Sequence, residues 1–129
     1  MLYETEHYTF ELPEKWRRLV AVSGRSLRVA IRETAEEDPA HSGVLCVLKL
    51  LKRDRPSGTA EYEDLGLIVF PNGERRHLFA VYGEEGACGE DTADLYFRLC
   101  DGLFPVFESI RPREGHAYYR ADGLPPGGR

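Results

Sequence analysis

The chain of 129 residues is 42% hydrophobic and 30% charged, a composition that is typical of a folded globular domain and excludes a disordered or fibrous chain. The formal net charge of −5 disfavours nucleic acid as a partner, because non-specific binding depends on clustered Lys and Arg that neutralise phosphates. No apolar run approaches the roughly 20 residues that cross a bilayer, so we also expect no membrane partner.

The cysteine pattern and the first 20 residues indicate where the protein resides. The three cysteines form neither a CxxC pair nor an even-numbered disulfide framework, and residues 1–20 lack the basic and apolar regions of a signal peptide. We therefore expect a cytoplasmic protein. Residues 1–112 are predicted to form a single α+β domain. Residues 113–129 are predicted to be a C-terminal extension with a partly mobile, Gly- and Pro-rich end.

Alternation with a period of two marks the first predicted strand, residues 8–12. Tyr8, Phe10 and Leu12 lie on one side of this segment, the pattern of a strand with one buried face. Pro13 ends the strand, and we expect the following turn to bring Trp16, the only tryptophan, to the edge of the core.

Further strands are predicted at residues 19–22 and 27–31, joined by a Ser-Gly-Arg-Ser hairpin loop. Residues 44–51, VLCVLKLL, are hydrophobic almost throughout, which predicts a central strand with both faces largely buried. Residues 65–70 and 77–82 predict two more strands around the sequence Pro-Asn-Gly-Glu. Asn-Gly between two strand-like runs is a strong hairpin signal, because both residues tolerate positive φ.

Residues 90–110 are the only long segment with helical periodicity. Its apolar residues recur every three or four positions and predict one buried helix face, made up of Leu95, Leu99, Leu103, Phe107 and Ile110. Asp91, with Asp94 three residues later, resembles a capping box at the helix start. Pro105 lacks an N–H and clashes with the carbonyl of Asp101, so we expect the helix to kink or restart there.

The glycine-rich acidic link at residues 83–89 is the first candidate site, because phosphate-binding loops also lie between a strand and a helix. Its spacing fits neither the Walker nor the dinucleotide pattern, and its carboxylates repel an anion, so a solvated connector is favoured. A divalent cation is the alternative ligand, but the ordered alternation of a calcium loop is missing. The candidate loop residues are Glu84, Glu85, Cys88 and Glu90. We predict no metal site and no cofactor.

Nucleophilic catalysis by Cys88 is opposed by the acidic residues around it, and no Ser, His and Asp set has a recognisable local context. Cys46 and Cys100 fall in apolar segments, where a small buried side chain is the usual explanation. The histidines are scattered and include no HxxxH pair for zinc; they are His7, His41, His77 and His116. We therefore predict no catalytic residue, which favours a protein that is not an enzyme.

Basic residues recur along the predicted strands and would form one patch for an acidic partner if those strands pair. The candidate partner-binding residues are Arg28, Arg32 and Lys49, together with Tyr118 and Tyr119 of the C-terminal extension. Solvated arginines that pair with the many carboxylates are the alternative interpretation.

Two motifs lie near the ends of the predicted domain: the sequence YTFELP at residues 8–13 followed by Trp16, and the sequence FESIR at residues 107–111. Over roughly residues 8–111 they resemble the Mog1/PsbP-like family, the first its F-x-L-P-x-x-W opening and the second its closing helix-to-strand signature. The resemblance implies a sandwich around an antiparallel sheet of about six strands, packed by a C-terminal helix. Known relatives include a Ran-binding nuclear-import factor and an extrinsic subunit of photosystem II, so it implies adaptor-like binding rather than one reaction.

The strands at residues 44–51 and 65–70 are apolar on both faces, yet one helix covers only one face of a sheet. We expect the second face to be covered by residues 114–120, by the loop at residues 52–64, or by a second subunit. The favoured hypothesis is a non-enzymatic module that binds a protein partner or forms a homodimer. The alternative is a small-molecule- or metal-binding protein or an enzyme, with a pocket between helix and sheet that uses Cys88, His77 or the acidic link.

Overall fold

The computed structural model describes residues 1–17, 19–23, 27–31, 44–56, 58, 61–82 and 93–123. The strands are β1 (Leu2–Glu4), β2 (Tyr8–Glu11), β3 (Val20–Ser23), β4 (Leu27–Ile31), β5 (Val44–Leu51), β6 (Tyr62–Val69), β7 (Arg75–Tyr82), β8 (Arg111–Pro112) and β9 (Ala117–Arg120). The helices are α1 (Ala93–Asp101) and α2 (Leu103–Glu108), and a 3-10 turn covers Glu14–Trp16.

The strands form two antiparallel sheets. The main sheet has the order β3-β4-β5-β7-β6-β9, and a smaller sheet has the order β1-β2-β8. The predicted α+β class, antiparallel pairing and C-terminal helix are therefore confirmed, and β5 is central as its apolar sequence predicts. The smaller sheet was not predicted, because β1 and β8 have only three and two residues and are too short to show alternation. Residues 117–120, part of the predicted extension, pair with β6 as an edge strand.

The hairpin between β6 and β7 lies at the predicted position but uses its residues differently. Gly73 has a positive φ of 86°, and its N–H donates to the carbonyl of Phe70 at 2.9 Å. No described residue other than glycine has a positive φ, so Asn72 does not use its tolerance for that conformation. Instead its Oδ1 accepts a hydrogen bond from the N–H of Glu74 at 2.9 Å. This is a three-residue turn that ends on a left-handed glycine, rather than a two-residue Asn-Gly turn.

One core cluster joins the two sheets and the helices. The face of the main sheet that contributes to it, here called the inner face, carries Cys46 and Leu48 of β5 and Leu78 and Ala80 of β7. The smaller sheet adds Tyr8 and Phe10, and the helices add Leu99, Leu103, Val106 and Phe107. The predicted helix face is confirmed from Leu99 to Ile110, while the side chain of Leu95 and the predicted start at residues 90–92 lie outside the described residues.

A β-bulge in β5 explains why neighbouring residues are both buried. Val29 pairs with Cys46 and Ala30 with Val44, so Leu45 is an extra residue in the ladder. Leu45 and Cys46 are both fully buried in the core cluster, although neighbours in a regular strand point to opposite faces. The bulge lets one strand place two consecutive apolar side chains in the same core.

The helix is interrupted, as predicted, but at Gly102 rather than at Pro105. α1 ends at Asp101, and Pro105 falls within the first turn of α2. Pro105 has no N–H to donate to the carbonyl of Asp101, so it disfavours one continuous helix through this region. In the first turn of a new helix that hydrogen bond is not needed, which is why the break lies before Pro105, at Gly102.

Trp16 fills the space at this interruption. Its side chain is buried, and a Cβ built on Gly102 would lie 2.6 Å from the Cζ2 atom of the indole ring. A hydrogen in place of a side chain at position 102 is therefore what lets the tryptophan pack against the junction of the two helices.

We expect Gly102→Ala to destabilise the protein by about 1–3 kcal/mol, because the added methyl group overpacks the contact with the indole ring. The free energy of unfolding, measured in urea, tests this. Trp16→Leu removes the indole ring from the contact, so Gly102→Ala should lower the free energy of unfolding by less in the Trp16→Leu background than in the wild type. An equal cost in both backgrounds would contradict the contact.

Candidate functional site

The described partner-binding residues that the sequence predicts lie on three strands of the main sheet, and Arg28, Lys49 and Tyr119 share one face of it by register. Lys49 lies on β5, Tyr118 and Tyr119 lie on β9, and Arg28 lies on β4, where only its backbone is described. Arg32 lies outside the described residues, as does the whole candidate loop site of Glu84, Glu85, Cys88 and Glu90.

Strand register defines a second face of the main sheet, here called the outer face. Lys49 pairs with Phe79, which pairs on its other side with Asp64, and residues two positions along each strand share this face. The described outer-face residues are Val47, Lys49, Leu51, Tyr62, Asp64, Leu67, Val69, Arg75, His77, Phe79, Val81, Ala117 and Tyr119. Apolar and aromatic residues predominate among them.

An aromatic cluster lies at the centre of the outer face. Phe79 is 0% exposed although it does not belong to the core cluster of the inner face. The Tyr62 ring meets it edge-on at 5.5 Å between centroids, and the His77 ring stacks on it at 6.1 Å. Tyr62 and Tyr119 remain 42% and 62% exposed. The outer face thus combines a buried aromatic centre with exposed aromatic side chains.

The described elements that were expected to cover the outer face lie elsewhere. The buried side chains of α1 and α2 belong to the same cluster as the inner face. Residues 114–120 include β9, which extends the sheet at its edge instead of crossing the outer face. The loop at residues 52–64 was also expected to cover this face, and its residues 52–55 are exposed. The described outer-face side chains other than Phe79 are exposed or half-buried.

Tyr118 and Tyr119 illustrate the two faces of β9. Tyr118 is 6% exposed within the core cluster, and its hydroxyl donates to the carbonyl of Leu65 at 2.5 Å. Burial raises the pKa of Tyr118 to about 12; the charges of Asp122 and Asp64 also raise it, while that of Arg120 opposes them. Tyr119 faces outward, so it and Lys49 are the two predicted partner-binding residues whose side chains are described on the outer face.

A small cavity lies between α2, the start of β6 and the end of β9. Its volume is about 90 Å³, and its walls include Glu63, Glu108, Phe104 and Arg120. The Arg120 side chain is 9% exposed and pairs with Asp122, while its Nη1 has no hydrogen-bond partner among the described residues. Pockets for drug-sized ligands have volumes of about 300–1,000 Å³. The cavity is therefore much smaller than the pocket that the alternative of a ligand-binding protein or enzyme requires. His77, which that alternative placed in a pocket between helix and sheet, lies on the outer face.

Cys46 is a core side chain. It is fully buried, and burial raises the pKa of its thiol to about 12, with a smaller contribution from Cys100. The thiolate is the nucleophilic form, so this environment disfavours reactivity.

Two histidines that are far apart in the chain meet where the two sheets adjoin. His7 precedes β2 and His116 precedes β9, and the Nδ1 atom of His7 lies 3.0 Å from the Nε2 atom of His116. The His7 ring stacks on Phe70 with 4.0 Å between centroids. Burial lowers the pKa of His7, and the charges of His116 and Arg76 lower it further, while Glu6 opposes them. A separation of 109 positions leaves no local spacing signal, so the sequence alone does not reveal this pair.

The comparisons with known proteins assign no family to this chain. Comparisons with protein-family models, with curated proteins and with solved structures found no match. Within the described part of the chain, no helix is long and apolar enough to span a membrane. The same residues contain no group of three or more His, Cys, Asp or Glu side chains arranged to hold a metal ion.

The raised pKa of Tyr118 predicts a loss of stability in alkali. A tyrosine of pKa 10 when unfolded and about 12 when folded contributes stability below pH 10 that is lost as the pH rises towards 12. In Tyr118→Phe, the free energy of unfolding should decline less steeply with pH above pH 10, as measured by urea unfolding at a series of pH values.

At pH 7 the same variant should be less stable by about 0.5–1.5 kcal/mol, because the carbonyl of Leu65 loses the hydroxyl donor and keeps only the longer bond, of 3.4 Å, from the N–H of Ala121. Tyr8 and Tyr82, whose pKa values are also raised by burial, remain in both proteins and account for the residual alkaline decline. Identical pH profiles for the two proteins would contradict this role of Tyr118.

Proposed function

We propose that this protein is a non-enzymatic protein-binding module of the Mog1/PsbP-like kind and that the outer face of its main sheet is the binding surface. The observation that supports the proposal is the aromatic cluster on that face, where the exposed ring of Tyr62 meets the buried ring of Phe79. Exposed Tyr119 lies on the same face, on β9 beyond β6. Rigid aromatic side chains on a sheet supply contact area at low entropic cost, which is why they dominate binding surfaces.

The charges of the outer face favour a partner with an apolar surface and acidic groups at its border. Among the side chains described on the face, Lys49 and Arg75 are basic and Asp64 is acidic, whereas the whole chain has a net charge of −5. Arg28 pairs with Val47 and so occupies a register position on the same face. Complementary charges at the rim of an interface mainly increase the association rate and make it depend on salt. Burial of the apolar side chains supplies the affinity, at about 25 cal/mol per Å² removed from water.

The family assignment, the cytoplasmic location and the absence of catalysis are parts of the same proposal. The YTFELP and FESIR motifs carry the resemblance to the Mog1/PsbP-like family, which stays a prediction because no matched relative tests it. A cytoplasmic location is supported by the cysteine pattern of the sequence. A non-catalytic role is supported by the small volume of the cavity and the burial of Cys46.

Capture from an extract of the protein's own cells, with the chain as bait, tests the binding surface. Tyr119→Ser should reduce recovery of the bound protein about tenfold, because it removes an exposed aromatic contact. Phe97→Ser is the matched control: Phe97 is also 62% exposed but lies on α1, so capture should persist. Lys49→Glu should weaken capture most at low salt if the partner is acidic.

The outcome that contradicts the proposal is equal recovery with the wild-type chain, Tyr119→Ser and Phe97→Ser. Sedimentation velocity of the purified protein shows whether the partner on the outer face is a second copy of the chain or a different protein. A dimer that Tyr119→Ser dissociates would identify a second copy of the chain as the partner. A monomer whose capture of another protein depends on Tyr119 would identify a separate acidic partner.

A further inference from the structure

His7 and His116 lie close to the separation of two ligands on one metal ion. A tetrahedral ion with metal–nitrogen bonds of about 2.0–2.1 Å holds its nitrogen ligands about 3.3 Å apart. The Nδ1 atom of His7 and the Nε2 atom of His116 are 3.0 Å apart, the distance of a hydrogen bond between the rings, and a shift of a few tenths of an ångström would give the spacing of two metal ligands.

Each imidazole has a polar group beside its other nitrogen. The Nδ1 atom of His116 lies 3.1 Å from the carbonyl of Glu114; in the tautomer that donates this hydrogen bond, Nε2 keeps its lone pair and accepts from the Nδ1–H of His7. To bind metal through Nδ1, His7 must carry its proton on Nε2, which lies 3.7 Å from the carboxylate of Glu6. The ion then takes the place of the hydrogen atom between the two rings. Partners of this kind orient metal-binding histidines and make them more basic.

The two loops that carry the histidines are held together by the backbone. The N–H of Arg113 donates to the carbonyl of His7 at 3.2 Å, and the N–H of His116 donates to the carbonyl of Arg113 at 2.9 Å. Stacking on Phe70 fixes the plane of the His7 ring. The nitrogens are therefore positioned before any ion binds, which reduces the entropic cost of binding.

The local charges are compatible with a cation. The two nearby guanidinium groups each have a carboxylate partner: Arg76 lies 2.5 Å from Glu74, and Arg113 lies 3.8 Å from Glu4. These carboxylates offset the arginine charges in part, and Glu6 places one more carboxylate beside His7.

We propose that His7 and His116 bind one divalent transition-metal ion, of the class of Zn²⁺, Ni²⁺ or Cu²⁺, with water in the remaining coordination positions. Imidazole nitrogen selects these ions over Mg²⁺ and Ca²⁺, which prefer oxygen ligands. The bound ion joins the loop before β2 to the loop before β9 and thereby fastens the smaller sheet to the main sheet. This site is separate from the outer face and does not depend on the protein-binding proposal.

Calorimetric titration of the untagged, EDTA-treated chain with ZnCl₂ and NiCl₂ tests the site. We expect one ion per chain, a higher thermal unfolding midpoint with either ion, and no response to MgCl₂. His7→Gln and His116→Gln should each lower the affinity at least about tenfold. His77→Gln, which removes a histidine from the outer face, is the matched control and should bind as the wild type does.

Electron paramagnetic resonance of the Cu²⁺-loaded wild-type chain provides a measurement that does not depend on whether a variant folds. The spectrum should show hyperfine coupling to two imidazole nitrogens. Coupling to fewer than two, undiminished binding in both His7→Gln and His116→Gln, or an equal loss in His77→Gln would each overturn the proposal.

Discussion

The fold depends on one shared core, in which the inner face of the main sheet, the smaller sheet and both helices bury their side chains together. None of these layers is independent: β2 contributes Tyr8 and Phe10, while the helices contribute Leu103 and Phe107 to the same cluster. The contact of Trp16 with Gly102 lies where the N-terminal turn meets the interrupted helix. Because interiors are close-packed, a change of one methyl group at such a contact affects several layers at once.

Concentrating the helices on the inner face gives the main sheet two different surfaces. The inner surface is filled by side chains from three layers, whereas the outer surface is an aromatic and aliphatic sheet face with few charges. An apolar sheet face of this kind is what protein partners commonly bind. The proposed function therefore follows from how the layers are distributed rather than from a set of reactive residues.

Local patterns in the sequence predicted the elements that local chemistry determines. The alternation of Tyr8 and Phe10, the apolar run of β5 and the helical spacing from Leu99 to Phe107 each act within a few residues, and each predicted the correct type of element. The position of the helix break and the half-buried outer side of β5 differ from the prediction. Features that depend on distant residues were not predictable in this way. The smaller sheet requires β8 to reach β2, and the pairing of His7 with His116 requires the same approach. The bulge at Leu45 depends on the register of β4, which the sequence of β5 alone does not contain.

Strand β9 closes the main sheet from the far end of the chain, and this has a consequence for biosynthesis. β8 pairs with β2, and β9 pairs with β6, so each sheet needs a segment that is synthesised after its other described strands. Contacts between distant segments form slowly, because the chain must close large loops before it gains their stabilisation. Until residues 111–120 emerge, β6 has a free edge able to pair with other chains. The newly made protein is therefore most prone to aggregation after β6 has emerged and before β9 has paired with it.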